Sequence, residues 1–211
     1  GTVANINTAI ATITWTSAAN DNTNAVITIV STDDSGGADT DTIAVTVAAI
    51  NDPPTLTATS SNPTHTEDAG AVSLFTGTAV GSGGAGGDAE SDEIDELTMT
   101  ITNVQDTAEN IVFDGSTIPI STAGTGTTAN DAIPWVVTLS STTATLAFDG
   151  AGVISWTAAE VVADLDAATY TNTDQAPTVA ARVITITLLA DEGSSSSPND
   201  NDATSSLAQA T

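Results

Sequence analysis

The sequence predicts an all-β protein folded as an antiparallel sandwich. Three observations carry this: apolar residues recur at every second position, Gly- and Asp-rich clusters separate these runs, and the C-terminal segment repeats the N-terminal one. Ile43, Val45 and Val47 alternate with Thr42, Ala44, Thr46 and Ala48. Leu97, Met99 and Ile101 alternate with Thr98, Thr100 and Thr102, and the sets Ala144, Leu146, Phe148 and Ile184, Ile186, Leu188 follow the same rule. Such alternation turns one face of each strand to a core and a Thr-rich face to water, which antiparallel sheets tolerate.

Turn clusters at Asp33–Gly37, Gly81–Gly87, Asp149–Gly152 and Gly193–Pro198 punctuate the strands. The one helical candidate is Ala158–Asp166. Trp15, Trp135 and Trp156 fall in strand-like alternation and are assigned to the core, as large aromatics usually are.

The internal repeat sets the organisation. INTAIATITWTSAAND followed by AVITIVSTDDSGGADTD reads like VVADLDAATYTNTDQ followed by RVITITLLADEGSSSSPNDND. Ile10 matches Leu165, Trp15 matches Tyr170, Ile27 matches Ile184 and Asp34 matches Asp191. Residues 1–50 are therefore expected to be the back half of one unit, completed by another segment or subunit. Residues 51–54 (Asn-Asp-Pro-Pro) form a linker, and residues 55–211 hold a nearly complete second unit.

Charge is the strongest compositional signal. The chain carries 27 Asp and Glu against one basic residue, Arg182, for a formal net charge of -26. Nucleic acid is an unfavourable partner, since its binding depends on Lys and Arg neutralising phosphates, and an anionic membrane surface is equally so. A folded chain this acidic repels itself unless cations neutralise it, and calcium is the hard divalent cation abundant outside cells. Cysteine and lysine are absent, which removes disulfides, thiolate sites and Schiff-base chemistry. No apolar run reaches the roughly 18–20 residues that span a bilayer as a helix.

The stretch DTIAVTVAAINDPPTLT resembles the junction of bacterial cadherin-like repeats, in which a last strand runs into an Asn-Asp-x-Pro linker. NTAIATITWTSAAND is similar to the segment before that family's penultimate strands, and Glu67-Asp68 fits beyond the linker. The resemblance covers both ends and the linker, about half of the chain, and leaves Ile111–Ala158 unmatched. It implies immunoglobulin/cadherin-like antiparallel β-sandwich units in tandem, with calcium at the junctions, in giant adhesins and other surface fibres.

Three groups of carboxylates are candidate calcium ligands. In DAESDEIDE, Asp88, Glu90 and Asp92 stand at alternate positions, so an extended backbone points all three to one side. Calcium takes six to eight oxygens, and three converging carboxylates supply several. The second arrangement appears twice: Asp33 and Asp34 precede Asp39 and Asp41, and Asp191 and Glu192 precede Asp200 and Asp202. The alternative for both is a pair of solvated turns in which Asp serves turn geometry. The third group is the junction, where Asn51 and Asp52 are placed to share an ion with Glu67 and Asp68.

Enzymatic function has little support. His65 is the single histidine and sits in a Pro-flanked segment that reads as a solvated loop, and Arg182 is expected to pair with a buried or junctional carboxylate. Aromatic residues make up 3% of the chain, too few to grip sugars in a carboxylate-pair glycosidase. The expectation is a non-enzymatic, extracellular structural or adhesive repeat that forms a homopolymer by complementation between neighbouring copies. The alternatives are a passive extender of a giant tandem adhesin and a calcium-dependent glycan-binding module.

Overall fold

The computed structural model describes residues 2–18, 21–81, 93–149, 156–193 and 202–211. They fall into two units, the first running to Ile50 and the second beginning at Asn51. The first contains helix α1 (Val3–Ile10) and strands β1 (Ala25–Thr32) and β2 (Ala38–Val45). Thr2 caps α1: its Oγ1 accepts a hydrogen bond from Asn5 N at 3.3 Å, satisfying a donor that the helix leaves without an internal partner. Val3, Ile6, Ile10 and Ile13 recur at helical spacing. The sequence reading missed this helix, because its Val, Thr and Asn content is weakly helical and its apolar stripe runs straight into the alternating Ile13 and Trp15.

β1 and β2 form an antiparallel hairpin in which Ile27 faces Ile43 and Ile29 faces Asp41. Asp33 shapes its loop, accepting from Ser35 N and Gly37 N at 2.8 Å each, while its own N donates to Gly37 O at 2.8 Å. No described residue of this unit is buried.

The second unit holds β3 (Thr55–Ser60), β4 (Val72–Ser73), β5 (Phe75–Gly81), β6 (Ile94–Thr102), β7 (Glu109–Phe113), β8 (Ser116–Pro119), β9 (Gly124–Thr127), β10 (Pro134–Ser140) and β11 (Thr143–Asp149). Helix α2 (Ala158–Ala167) and strands β12 (Thr169–Asn172), β13 (Val183–Asp191) and β14 (Asp202–Ala210) complete it. A six-stranded sheet runs β14-β13-β6-β11-β10-β9, a four-stranded one runs β4-β12-β7-β8, and β3 pairs with β5. All pairings are antiparallel.

The predicted alternation builds the core. Leu97, Met99 and Ile101 of β6 and Ala144, Leu146 and Phe148 of β11 are completely buried, as are Ile111 and Ile118 of the four-stranded sheet. Phe113 of β7 stacks on Phe148 of β11 with ring centroids 4.2 Å apart, joining the two sheets, and Trp156 stands edge-on to Phe113 at 6.2 Å. The fold is an all-β sandwich.

β13 departs from strict alternation. Its register slips between Ile186 and Leu188, so Leu188 turns away from the core and Leu189 is buried instead. One extra residue in a strand reverses every later side chain, which is how a bulge acts.

The tryptophans divide. Trp156 is fully buried, while Trp15 remains 40% exposed. Trp135 is half-buried and lies directly opposite Gly126, where an added Cβ would sit 2.6 Å from the indole. Glycine at that position therefore leaves room for the ring.

Candidate metal centre

The residues most capable of holding a cation come from three separate segments of the second unit. Asp114 and Gly115 form the two-residue turn between β7 and β8, with φ of 42° and 71°. Two successive positive φ values are what a tight hairpin needs to match strand twist, and an Asp-Gly pair accepts them readily. Asp131 lies in the β9–β10 loop, closed by Thr128 N donating to Ile133 O and Ile133 N donating to Thr128 Oγ1, each at 2.9 Å. Asp131 N donates to Asp114 Oδ2 at 2.9 Å and Ala129 N donates to Asp114 O at 3.2 Å, so the loop is fastened to the turn.

Asp164 comes from α2. The buried residues of that helix are Val161, Asp164 and Leu165, which places a carboxylate in an apolar stripe. Thr157 and Glu160 start the helix with a capping box: Glu160 N donates to Thr157 Oγ1 at 3.3 Å and Thr157 N donates to Glu160 Oε2 at 2.8 Å. Trp156 Nε1 donates to Asp164 Oδ2 at 3.1 Å.

One oxygen from each of Asp114, Asp131 and Asp164 lies within 4.8 Å of the others, so the three could hold a metal ion. Asp114 and Asp164 are buried and Asp131 is half-buried. Burial, followed by repulsion from Asp114, Asp131 and Glu160, pushes the Asp164 carboxyl up to about 6 against the pull of its Trp156 hydrogen bond. Asp131 is raised by burial and then by Asp114 and Glu160. Burial and mutual repulsion both disfavour the charged forms, and a bound cation would relieve both. An all-carboxylate donor set suits a hard divalent ion.

The chain's single guanidinium is committed elsewhere in this unit. Arg182 Nε donates to Glu109 Oε2 at 3.0 Å, and Nη1 donates to Thr178 O at 2.7 Å and Ala180 O at 2.8 Å. Nη2 donates to Asp106 Oδ2 and Glu109 Oε1 at 2.7 Å each. These bonds use all five of its N–H donors, leaving none for a ligand. Tyr170 Oη donates to Glu109 at 2.9 Å and Asn172 Nδ2 donates to Asp106 at 2.7 Å. Burial pulls Asp106 and Glu109 upward, but the hydrogen bonds from Thr178 to Asp106 and from Arg182 to Glu109 lead a larger set that holds both below the usual carboxylate range.

A cleft of about 570 Å³ adjoins this network, lined among others by His65, Val72, Tyr170, Asn172 and Ile184. His65 is half-buried rather than a solvated loop residue. Its ring meets Tyr170 edge-on at 5.6 Å and its Nε2 accepts from Asn172 N at 3.4 Å.

The structure distributes the carboxylates singled out from the sequence as follows. Asp34, Asp39 and Asp41 are exposed on the β1–β2 hairpin, where Asp39 faces Ser31 and Asp41 faces Ile29. Asn51 is buried and donates to Asp191 Oδ1 at 3.1 Å, an oxygen that also accepts from Gly193 N at 2.8 Å. Two residues assigned to different clusters thus meet. Asp52 is half-buried, Glu67 and Asp68 are exposed, and Asp202 is exposed at the start of β14. Asp88, Glu90, Asp92 and Asp200 lie outside the described residues.

A second acidic region marks one end of the six-stranded sheet. Glu96 of β6 lies directly opposite Asp149 of β11. Burial raises Asp95 and Glu96, and Asp149 then adds to both by repulsion. Like charges facing across a ladder are destabilising when nothing neutralises them.

Sequence reasoning missed Asp114, Asp131 and Asp164 because they sit far apart along the chain and share no spacing. One signal was present: Asp164 occupies an apolar-stripe position of the predicted helix. Comparison with protein-family models, curated proteins and solved structures returns no match to this chain.

Proposed function

We propose that the chain is a non-enzymatic, calcium-stabilised structural or adhesive repeat of an extracellular surface fibre, of the immunoglobulin/cadherin-like type, assembling end to end. The observation that carries this reading is the convergence of Asp114, Asp131 and Asp164 in a chain with a net charge of -26. Outside cells calcium is the abundant ion suited to such a donor set, and it would lift the repulsion that the fold otherwise bears. The remaining polar groups support a structural role, since Arg182 is spent on internal partners and His65 is packed against Tyr170.

Extracellular modules bind calcium with dissociation constants of roughly 0.1–1 mM. At about a hundredfold excess over that constant, one site adds about 2.7 kcal/mol to the stability of the unit that holds it. The expected result is a melting temperature that rises with calcium, falls in EDTA and is poorly restored by magnesium. A melt that is identical in EDTA and in millimolar calcium overturns the reading and leaves an acidic, salt-adapted surface in its place.

A further inference from the structure

The repeat seen in the sequence is also a structural repeat. α1 and α2 each start at a threonine N-cap whose Oγ1 accepts from the residue three positions on, at 3.3 Å in both. After each helix comes an antiparallel hairpin, β1 with β2 after α1 and β13 with β14 after α2, with β12 intervening only in the second unit. In the second unit this module is covered: β13 carries β6 on its other edge, with Ile184 opposite Ile101 and Ile186 opposite Met99, and β12 lies between β4 and β7. Val161, Leu165 and Ala168 are consequently 0% exposed and Tyr170 7%. At the matching positions of the first unit, Ile6 is 46% exposed, Ile10 42%, Ile13 54% and Trp15 40%. β1 belongs to a two-stranded sheet, so among the described residues one of its edges carries no strand.

Two of the differences between the modules bear on docking. AVITI at Ala25–Ile29 aligns with RVITI at Arg182–Ile186, so Ala25 stands where the second unit has Arg182, and the helices place Ala9 where it has Asp164. Arg182 ties that back half to Asp106 and Glu109 of the front half, and Asp164 places a carboxylate beside Asp114 and Asp131. The first module keeps the apolar face and the strand edge but lacks both charges. A front half that buried Asp106 and Glu109 against it would leave those carboxylates without a cation, at a heavy cost.

We propose that β1 and the apolar face of α1 form a docking surface for a front-half segment of this same repeat type, carrying neutral residues at the positions of Asp106 and Glu109. A strand of β6 type runs antiparallel along β1, placing the equivalent of Ile101 opposite Ile27 and that of Met99 opposite Ile29. The missing charges act as a selectivity device, keeping the chain's own acidic front half on its own back half. This rests on the end-to-end assembly of the proposed function and names its partner as a neighbouring repeat with a neutral front half rather than a second copy of this chain, yet it is read on a different unit from the candidate metal centre. Calcium dependence and docking can therefore fail independently.

The test fuses a second copy of residues 51–155, carrying Asp106→Asn and Glu109→Gln, ahead of Gly1 of the full chain, so that the occupant is present at high effective concentration. Hydrogen exchange of the Ala25–Thr32 amides is expected to slow by about a hundredfold or more relative to the unfused chain, as amides in paired strands do. Trp15 is expected to lose access to a soluble quencher, and Ile27→Cys is expected to form a disulfide with Ile101→Cys of the added copy in this otherwise cysteine-free chain. Restoring Asp106 and Glu109 in the added copy should reduce the protection at least about tenfold, since unpaired buried carboxylates disfavour docking. Unchanged β1 exchange with the neutral copy attached, whether or not that copy folds, overturns the docking surface. Equal protection by the neutral and acidic copies overturns the charge rule.

Discussion

A capped helix followed by a hairpin occurs twice in this chain, and the two copies differ most in what covers them. In the second unit Leu165 is completely buried; its counterpart Ile10 is 42% exposed. The two nevertheless share a threonine-capped helix and an antiparallel hairpin, with caps at Thr2 and Thr157. Capping, alternation and turn chemistry are therefore sufficient to define the module, while burial depends on strands far away in sequence. A two-stranded hairpin with no buried residue is marginal by itself, so the first unit should open far more easily than the second.

Matched substitutions probe that difference, starting with the largest effect. Arg182→Ala strands Asp106 and Glu109 in the interior and is expected to cost the second unit about 3–5 kcal/mol in urea unfolding. The matching change Ala25→Gly, in the unburied strand, should leave that unit's midpoint unchanged. Because Asp106 and Glu109 are held low in the fold, their contribution is complete above the unfolded carboxylate range and is lost as pH falls through their folded values. Leu165→Ala should cost about 2–5 kcal/mol through lost burial and a cavity, and Ile10→Ala, with far less burial to lose, much less. Hydrogen exchange resolved by segment separates these two outcomes, and equal effects would mean that the first module is covered after all.

Asp164 supplies a prediction of opposite sign. Its carboxyl is pushed up to about 6 in the fold, so between the unfolded value near 4 and about 6 the native state holds the extra proton. Metal-free protein should consequently gain stability from this group as pH falls from 7 toward 4, until loss at Asp106 and Glu109 takes over. Calcium should weaken or reverse the gain by favouring the ionised form. Asp164→Asn keeps an acceptor for Trp156 Nε1 and removes the repulsion. It is expected to stabilise the metal-free form by about 1–4 kcal/mol, the range for one charge pair at about 4 Å between bulk water and a protein surface, while abolishing the calcium-induced rise in melting temperature. A calcium response that survives this variant would place the ion elsewhere, with the Asp95–Glu96–Asp149 end of the sheet as the next location to examine.

The smallest expected effect is at the caps. Thr157→Ala removes half of a capping box and should cost about 1 kcal/mol, and Thr2→Ala should lower only the local protection of α1 by a comparable or smaller amount. Global destabilisation by Thr2→Ala would show that α1 is coupled to a larger folded body.

Legibility followed the range of the interactions. The strands at Leu97–Ile101 and Ala144–Phe148 were readable because each position reports its own face at a period of two. Leu188 misled because the bulge after Ile186 is set by pairing with β6 and β14, which no local pattern records. α1 was hidden by poor helix formers.

By itself the sequence determined the all-β class, the repeat, the pairing of Arg182 with a buried or junctional carboxylate and the demand for countercharge imposed by 27 acidic residues. These follow from composition and short-range periodicity, which act along the chain. Tertiary structure alone decided that Asp114, Asp131 and Asp164 meet and that Asn51 reaches Asp191. Such contacts join residues tens of positions apart, and only the packing of one sheet on the other brings them within reach of a single ion or a single hydrogen bond.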